Sequence, residues 1–347
     1  MHGSEWFSAA PGGLNRYFTD LYSALARIPE ISVTAQAFGA APIGAGSWGP
    51  TGRSTGWRVR TSYLDRGELK RGTVVDRHFA LYGASPLGRN PLVVHFHGPW
   101  AAESRMAGEG DRSVRAKYLV ERLRYARADR FIVLSNHFRQ LLIDDYHVAE
   151  DKVLIVPPGV DLGRFPPPQA TQPTGMVLCV RRLERRMGID VLIRGWPEVV
   201  AAHPEARLVI VGTGTAETEL RESAAGDSSI VFTGPVTDEQ LTALYLEADL
   251  TVVPSLALEG FGLIALESLA AGRAPVVSDC GGLPDSVRDL DATLIVPPGD
   301  AGALSARIAD ALSGTRPDPA KCRAHAETFS WDIAAHRHLD IYAELAG

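Results

Sequence analysis

Two glutamates eight residues apart, Glu259 and Glu267, are the best candidates in this sequence for binding a polar ligand. An apolar run at 250–253 precedes them and indicates a buried strand, which Pro254 ends. Apolar residues then recur at helical spacing over 263–270, so the order is strand, loop, helix. A helix N-terminus binds phosphate through unpaired N–H groups and the positive end of its dipole. At about 1.5 Å per residue the carboxylates are roughly 12 Å apart, which leaves room for a diphosphate between two hydroxyl-binding groups.

The stretch that joins the two glutamates is more specific than either glutamate alone. An isolated exposed glutamate is usually part of a solvated helix face. Here the first carboxylate is followed at a strand end by a glycine-rich turn, made of Gly260, Phe261, Gly262 and Leu263. The stretch E-G-F-G-L-I-A-L-E resembles the E-x7-E signature of family 4 retaining glycosyltransferases, and residues 271–284 match the same family's pattern. The resemblance extends over most of the chain.

This resemblance implies the GT-B fold, an α/β architecture of two Rossmann-like doubly wound domains that face each other across a cleft. We predict an acceptor-side domain at 1–165, a nucleotide-sugar-binding domain at 166–330, and a helix at 331–347 that crosses back to the first domain. The segment at 165–175 has four prolines and no apolar periodicity, which is typical of a linker.

The implied reaction moves a sugar from a nucleotide-diphosphate sugar to a hydroxyl of a glycan, lipid or small-molecule acceptor, with retention of configuration. We favour a UDP-sugar over a GDP-sugar on the family's donor frequencies. We expect no metal and no other cofactor. In the family, Glu259 binds hydroxyls of the sugar, Glu267 binds the ribose, and backbone N–H groups from Gly260 to Leu263 receive phosphate.

The predicted diphosphate clamp departs from the family pattern. After the first strand of the second domain the family has G-R-L-x-x-x-K-G, in which Arg and Lys hold the diphosphate. Arg182 matches the arginine, but Met187 stands at the lysine position and Arg181 at the first glycine. We expect Arg185 or Arg186 to supply the missing charge, because a planar guanidinium binds phosphate well. The alternative is weak activity or an unusual donor.

Further site residues follow other predicted strands. Glycines at the start of the first helix suit close approach to a diphosphate or an acceptor, and two later predicted strands end in glycine-containing turns. In the family such turns line the donor pocket, and the base meets the backbone near Val236. The predicted donor-binding set therefore adds Gly12, Gly13, Gly212, Gly214 and Val236. Asn15 and Arg16 follow the first glycines and are the predicted acceptor contacts.

A histidine after an apolar strand completes the predicted catalytic set. The run at 92–96 reads as a buried strand, and His97 falls at its carboxyl end, where ligands of doubly wound sheets bind. In the family the second histidine of such a segment faces the donor sugar, whereas His95 is best explained as a core residue. We assign catalytic roles to His97, Glu259 and Arg182. We also expect a helix within 61–83, and an abbreviated or absent first strand, because only five residues precede Trp6.

Composition limits the partners. Residues 1–168 carry a net charge of +5 and the remainder −11. This asymmetry fits an anionic acceptor or peripheral contact with an anionic membrane surface, although ordinary surface variation explains it slightly better. An acidic chain without a recognised motif argues against nucleic acid. No run reaches the roughly 20 apolar residues of a membrane span, no signal peptide is recognised, and three cysteines lack metal-ligand spacing, so we expect a cytoplasmic protein.

Two other readings of the sequence stay open. Another sugar-nucleotide enzyme of GT-B type, a phosphorylase or an epimerase, would use the same donor site. A catalytically weak nucleotide-sugar binding protein would explain Met187 and the short first strand. A nicotinamide dehydrogenase is disfavoured, because no predicted strand opens into G-x-G-x-x-G.

Overall fold

The computed structural model describes residues 1–65, 69–70, 72–86, 88, 90–168 and 172–346. The chain divides into two compact units, Met1–Gly159 together with Trp331–Gly347, and Val160–Ser330. The domain ranges expected from the sequence place the boundary between the two domains after residue 165. These ranges remain predictions.

The first unit is built on a parallel sheet of seven strands in the order β3-β2-β1-β4-β5-β6-β7. Its strands are β1 His2–Glu5, β2 Gln36–Phe38, β3 Gly46–Ser47, β4 Val75–Arg77, β5 Leu92–Phe96, β6 Arg130–Val133 and β7 Val153–Ile155. Its helices up to residue 159 are α1 Gly13–Leu25, α2 Thr55–Leu64, α3 Trp100–Met106, α4 Asp111–Tyr125 and α5 Asn136–Tyr146.

The second unit has a parallel sheet of six strands in the order β10-β9-β8-β11-β12-β13. Its strands are β8 Met176–Val180, β9 Arg207–Val211, β10 Ile230–Gly234, β11 Leu250–Val253, β12 Ala274–Ser278 and β13 Ile295–Val296. Its helices are α6 Ile189–Ala202, α7 Glu217–Ser223, α8 Asp238–Glu247, α9 Leu263–Ala270, α10 Ala301–Leu312 and α11 Pro319–Glu327, and the last helix, α12 Trp331–Ala346, returns to the first unit. Two doubly wound α/β units confirm the predicted fold class.

The apolar runs form central strands because a parallel sheet is covered by helices on both faces. In β8, Val177, Leu178 and Cys179 are fully buried, and all three cysteines of the chain are buried free thiols. In the first unit, α1 and α12 pack together through an apolar cluster that includes Tyr17, Leu21 and Trp331. Burial of this cluster accounts for the return of the chain's last helix to the first unit.

The structure resolves the question of the first strand. His2–Glu5 forms β1 at the centre of the sheet, hydrogen-bonded in parallel to β2 and β4. Its sequence, H-G-S-E, lacks the apolar run that is typical of an interior strand. The strand is therefore defined by its hydrogen bonds to both neighbours and not by hydrophobic residues. Gly3 is required there, because a Cβ atom would lie 2.5 Å from the ring of Phe18 on α1.

The helix expected within 61–83 is wrong beyond residue 64, because none of the later described residues of that range is helical. Helix α2 ends at Leu64, and residues 75–77 form the short strand β4. Two arginines of that range, Arg66 and Arg71, lie outside the described residues. An apolar pair, Val74 and Val75, is too short to display either helical or strand periodicity. In the described part of the chain, no helix combines the length and apolar character needed to cross a lipid bilayer.

Candidate functional site

The candidate site of the second unit lies where its strand order reverses. Strands β8 and β11 are neighbours, and the chain proceeds from β8 to β9 on one side and from β11 to β12 on the other. Ligands of open α/β sheets bind at the carboxyl ends of the strands at this position. The loop after β8 carries Arg181 and Arg182, and the loop after β11 carries Ser255 and Glu259. The loop of the predicted clamp and the loop of the first glutamate therefore both start at the switch point.

The backbone of Glu259 is held by the loop that follows β12. Gly282 N donates to the Glu259 carbonyl at 2.9 Å. Gly281 has a φ of +58°, and a Cβ atom there would lie 2.1 Å from that carbonyl oxygen, so only glycine fits. The preceding residue, Leu258, has a φ of +54°, a left-handed conformation that costs a branched side chain about 1–2 kcal/mol. Such strain is kept where the surrounding structure fixes a functional loop.

The carboxylate of Glu259 is paired with Arg181. Arg181 Nη2 donates to Glu259 Oε2 and to Ser255 Oγ in two very short contacts, and it lies 3.0 Å from the sulfur of Met187. Ser255 Oγ also donates to Glu259 Oε2 at 3.2 Å. Only 7% of the Arg181 side chain and 15% of the Glu259 side chain are exposed, so this ion pair is shielded from water.

The other arginines of this loop are placed differently. Arg182 is exposed, and within the described residues no hydrogen bond or ion pair holds its side chain. Arg185 is 84% exposed and pairs with Glu219 of α7 at 2.9 Å. Arg186 Nη1 donates to the carbonyls of Ala257 and Leu258 at 3.4 and 3.3 Å. Arg182 is thus accessible to an anionic ligand, whereas Arg186 supports the strained loop.

Helix α9 starts at Leu263 with the left-handed residue Gly262 at its N-cap. No side chain caps this end, so first-turn N–H groups are available to an anion. Phe261 is 2% exposed and packs on Phe329 with ring centroids 5.5 Å apart. Of the predicted segment Gly260 to Leu263, Phe261 therefore offers a ligand its backbone and not its side chain.

Glu267 is buried in α9, and each of its carboxylate oxygens accepts a hydrogen bond. Arg164 Nη1 donates to its Oε1 at 3.0 Å, and the hydroxyl of Tyr245 donates to its Oε2 at 3.0 Å. Only 5% of the residue is exposed. The predicted ribose contact of Glu267 therefore involves a carboxylate that is already oriented by two neighbours.

The remaining predicted donor residues of this unit lie at the ends of β9 and β10. Gly212 has a φ of +133°, and a Cβ atom there would lie 2.0 Å from the carbonyl oxygen of Arg181. The glycine lets the end of β9 approach the loop that carries the arginines. Gly214 follows in the same turn, and Val236 lies half-buried between β10 and α8.

In the first unit the predicted acceptor residues, Asn15 and Arg16, and two of the predicted donor-binding glycines lie at the start of α1. Gly12 and Gly13 are exposed there. Asn15 is 7% exposed, and its Nδ2 donates to the Ala10 carbonyl at 2.8 Å, so its amide ties down the loop before the helix. The guanidinium of Arg16 stacks over the ring of Phe7, 4.0 Å from the ring centroid.

His97 belongs to a buried network at the switch point of the first sheet, beside β1 and β4. The carboxylate of Asp76 contacts His78 Nε2 at 3.2 Å and His95 Nε2 at 3.1 Å, and the hydroxyl of Tyr342 donates to it at 2.5 Å. His78 Nδ1 lies 3.3 Å from His97 Nε2. An ionised Asp76 can only accept hydrogen bonds, so His78 carries its proton on Nε2 and accepts from His97 through Nδ1.

The protonation states in this network follow from burial and from the hydrogen bonds. Burial opposes ionisation of Asp76, but its contacts with His95 and His78 hold the pKa of the carboxyl well below its usual range. Burial lowers the pKa of His78 and lowers that of His97 well below its usual range, so both rings are neutral at pH 7. The network leaves Nδ1 of a neutral His97 as an acceptor for a hydroxyl proton.

These histidines are also the group within the described residues whose geometry comes nearest to a metal site. Ligand atoms of His78, His95 and His97 all lie within 4.8 Å of one another. The rings of His78 and His95, however, stack at 3.8 Å with an interplanar angle of 20°. An imidazole lone pair lies in the ring plane, so two nearly parallel stacked rings cannot both point at one ion. The arrangement fits a hydrogen-bonded network better than a metal centre.

Two doubly wound parallel sheets with a polar cluster at each switch point define a protein of the GT-B class. The family model described as Glycosyltransferase Family 4 matches residues 11–164, and the model described as Glycosyl transferases group 1 matches 174–314. A protein named D-inositol 3-phosphate glycosyltransferase from Acidothermus cellulolyticus is 32% identical over 300 residues, which cover 78% of this chain and 67% of that one. The chain belongs to family 4 of the glycosyltransferases, which confirms the predicted family and enzyme class.

Solved structures show the same fold. Sucrose-phosphate synthase from Thermosynechococcus elongatus superposes with a TM-score of 0.76 and 22% identity, covering 99% of this chain and 94% of that one. Anabaena HepE in complex with UDP-glucose superposes with a TM-score of 0.74 and 16% identity, covering 99% of each chain. Several further relatives also carry the name D-inositol 3-phosphate glycosyltransferase, and this chain spans 59 to 67% of the length of such relatives.

Several functional neighbours are not apparent from the sequence. Arg164 and Tyr245 reach Glu267 from 103 and 22 positions away. Asp76 and His78 follow an apolar pair that is too short to indicate a strand. Arg181 was noted only as a departure from a glycine, and nothing in its spacing from Glu259 predicts their contact. A charged residue directly after a predicted strand is the one local signal that could have found Arg181.

Proposed function

We propose that this protein transfers a sugar from a nucleotide-diphosphate sugar to a hydroxyl group, with retention of anomeric configuration. The observation that carries the proposal is the meeting of Arg181, Arg182, Glu259 and the N-terminus of α9 at one switch point. Cations and free N–H groups suit the diphosphate, and a fixed carboxylate suits sugar hydroxyls.

The reaction needs charge stabilisation at the leaving group. The bond between the anomeric carbon and the β-phosphate oxygen breaks, and its electron pair remains on the diphosphate. A new bond forms between that carbon and the acceptor oxygen, whose proton passes to the departing diphosphate. Preorganised donors aimed at developing negative charge contribute most to such reactions. Arg182 and the first turn of α9 take this part, while Glu259 orients the sugar, Glu267 holds the ribose and His97 hydrogen-bonds a substrate hydroxyl.

We propose a UDP-sugar as the donor and a small phosphorylated polyol as the acceptor, with a GDP-sugar as the alternative donor. The UDP-glucose complex of the structural neighbour supports the donor. The relatives' name supports an inositol phosphate, and the net charge of +5 on residues 1–168 favours an anionic acceptor. A glycan or lipid acceptor would use the same donor chemistry, and contact with an anionic membrane would then bring the lipid within reach.

The experiment has two stages. A thermal-shift screen of nucleoside diphosphates should show the largest rise in Tm with UDP, because a ligand of the native state stabilises it. UDP-glucose and other UDP-sugars are then incubated with D-inositol 3-phosphate or inositol, and the products are examined by mass spectrometry and NMR. We expect a glycosylated inositol phosphate with the donor's anomeric configuration, and its loss in Glu259→Ala.

Other outcomes would contradict the proposal in identifiable ways. Conversion of the donor without an acceptor indicates an epimerase. Release of a sugar phosphate from a glycoside and phosphate indicates a phosphorylase. Binding of UDP with neither hydrolysis nor transfer over a broad acceptor panel indicates a binding protein.

A further inference from the structure

The side chain of Arg181 is directed into the switch point by the fold. Arg181 follows the last residue of β8, and its N–H donates to the Val211 carbonyl at 3.0 Å. Its own carbonyl is packed against Gly212 of the turn after β9. With the backbone fixed on the β9 side, the guanidinium reaches Ser255 and Glu259 after β11, on the opposite side of β8.

The guanidinium of Arg181 is buried with more donors than it has acceptors. Its Nη2 is shared between Ser255 and Glu259 and touches the sulfur of Met187. Its Nε is buried and has no hydrogen-bond partner among the residues that the structure describes. A buried cationic donor without an acceptor is costly, so a site that keeps one is suited to an anionic ligand.

We infer that Arg181 supplies the second positive charge of the diphosphate clamp, in place of a cation at position 187. Its guanidinium contacts the side chain of Met187. Arg181 therefore places a positive charge beside position 187, although the two residues lie at opposite ends of the loop. The same group orients Glu259 for the sugar. This assignment rests on the proposed function, since it presumes a diphosphate ligand.

The assignment replaces the expectation that Arg185 or Arg186 fills this role. The exposed guanidinium of Arg185 is turned to Glu219, and that of Arg186 to the carbonyls of the loop at 257–258. Arg181, in contrast, contacts the Glu259 carboxylate directly. A positive charge next to the sugar-binding carboxylate also holds that carboxylate in place while a second anion binds.

The test separates the contribution of the ligand's phosphates to binding from that of its base, by comparing UDP with uridine. We expect Arg181→Gly to weaken UDP binding at least tenfold by calorimetry, to leave uridine binding unchanged, and to lower kcat with UDP-glucose about 100-fold. The double variant Arg181→Gly with Met187→Lys should have a kcat at least tenfold higher than that of Arg181→Gly alone. Arg207→Ala is the matched control, because Arg207 makes an equally close ion pair with Glu247 at the amino end of β9 and should behave as the unmodified protein.

Each alternative outcome is distinguishable. If the unmodified protein binds neither UDP nor GDP, the proposed function fails. If the unmodified protein binds the nucleotide and transfers sugar, and Arg181→Gly does both equally well, the proposed function stands and only the inference about Arg181 fails. A 100-fold loss in Arg185→Ala or Arg186→Ala with a normal Arg181→Gly would also overturn it. If Arg181→Gly does not fold, Arg181→Gln decides, because it keeps hydrogen bonds to Ser255 and Glu259 but removes the charge.

Discussion

His78 Nδ1 lies 3.3 Å from His97 Nε2, and the far side of the same His78 ring is held by Asp76. The three side chains form one chain of hydrogen bonds across the ends of β4 and β5. This chain sets the tautomer of His97 and leaves its Nδ1 as an acceptor for a hydrogen bond from a substrate hydroxyl. An ordered chain of this kind is what a positioned hydroxyl-binding histidine requires.

The first prediction concerns that chain. We expect His97→Ala to lower kcat with UDP-glucose about 100-fold, within the range for loss of a positioned acid–base group. His78→Gln should lower it less, about tenfold, because His97 remains but its orientation is lost. His336→Ala is the control, because His336 is exposed on α12 and its Nδ1 contacts the carbonyl of Asp332 in its own helix. Equal activity of all three variants would remove His97 from the site.

The second prediction concerns acid stability. Burial lowers the pKa of His95 to about 4 and that of His338 to about 3, while an unfolded histidine titrates near 6.5. The unfolded state therefore binds more protons between these values, and stability falls as pH drops from about 6.5 to 4. The loss is at most about 1.4 kcal/mol per pH unit for each histidine. Denaturant unfolding at several pH values measures this slope.

The matched variant for this slope is His338→Phe. His338 is fully buried and stacks on His95 with ring centroids 5.1 Å apart. A phenyl ring keeps the stacking but does not titrate, so the loss of stability between pH 6.5 and 4 should be smaller in this variant. If the pH dependence of stability is the same in His338→Phe as in the unmodified protein, His338 does not remain neutral in the folded state over this pH range.

The third prediction separates the two glutamates. Glu267→Ala should destabilise the second unit by about 1–3 kcal/mol, because Arg164 and Tyr245 lose a buried acceptor. It should also weaken UDP binding, whereas Glu259→Ala should chiefly lower turnover. Urea unfolding and calorimetry with UDP measure the two effects. Glu267→Gln is the control, since it keeps an acceptor for Tyr245 and should recover most of the stability.

The fourth prediction concerns metal ions. We expect transfer or donor hydrolysis to stay within twofold after dialysis against EDTA, because the stacked rings of His78 and His95 do not converge on one ion. Metal content by mass spectrometry and activity before and after dialysis are the measurements. A loss that is restored by Zn²⁺, and abolished in His95→Phe, would instead place an ion among the three histidines.

Local sequence was sufficient for the elements that carry their own signal. The apolar run at 250–253, the glycine turn and the helical spacing at 263–270 predicted the strand, loop and helix that the structure shows. The E-x7-E stretch identified the family without any contact information. In contrast, the sequence left open whether β1 is short or absent, and it did not predict β4, because short strands with polar residues are defined by the hydrogen bonds of their neighbours and not by their own hydrophobicity.

What the sequence determined by itself is the class of the protein and the presence of carboxylates, arginines and a histidine at strand ends. Which of these groups meet was decided only by the tertiary structure. Arg181 and Glu259 are 78 positions apart, and they pair because β8 and β11 are neighbours at the point where the strand order reverses. Strand order depends on the packing of whole helices against the sheet, and no local spacing encodes it. The fold therefore determines which group each charged residue contacts, whereas the sequence determines the chemical type of that residue.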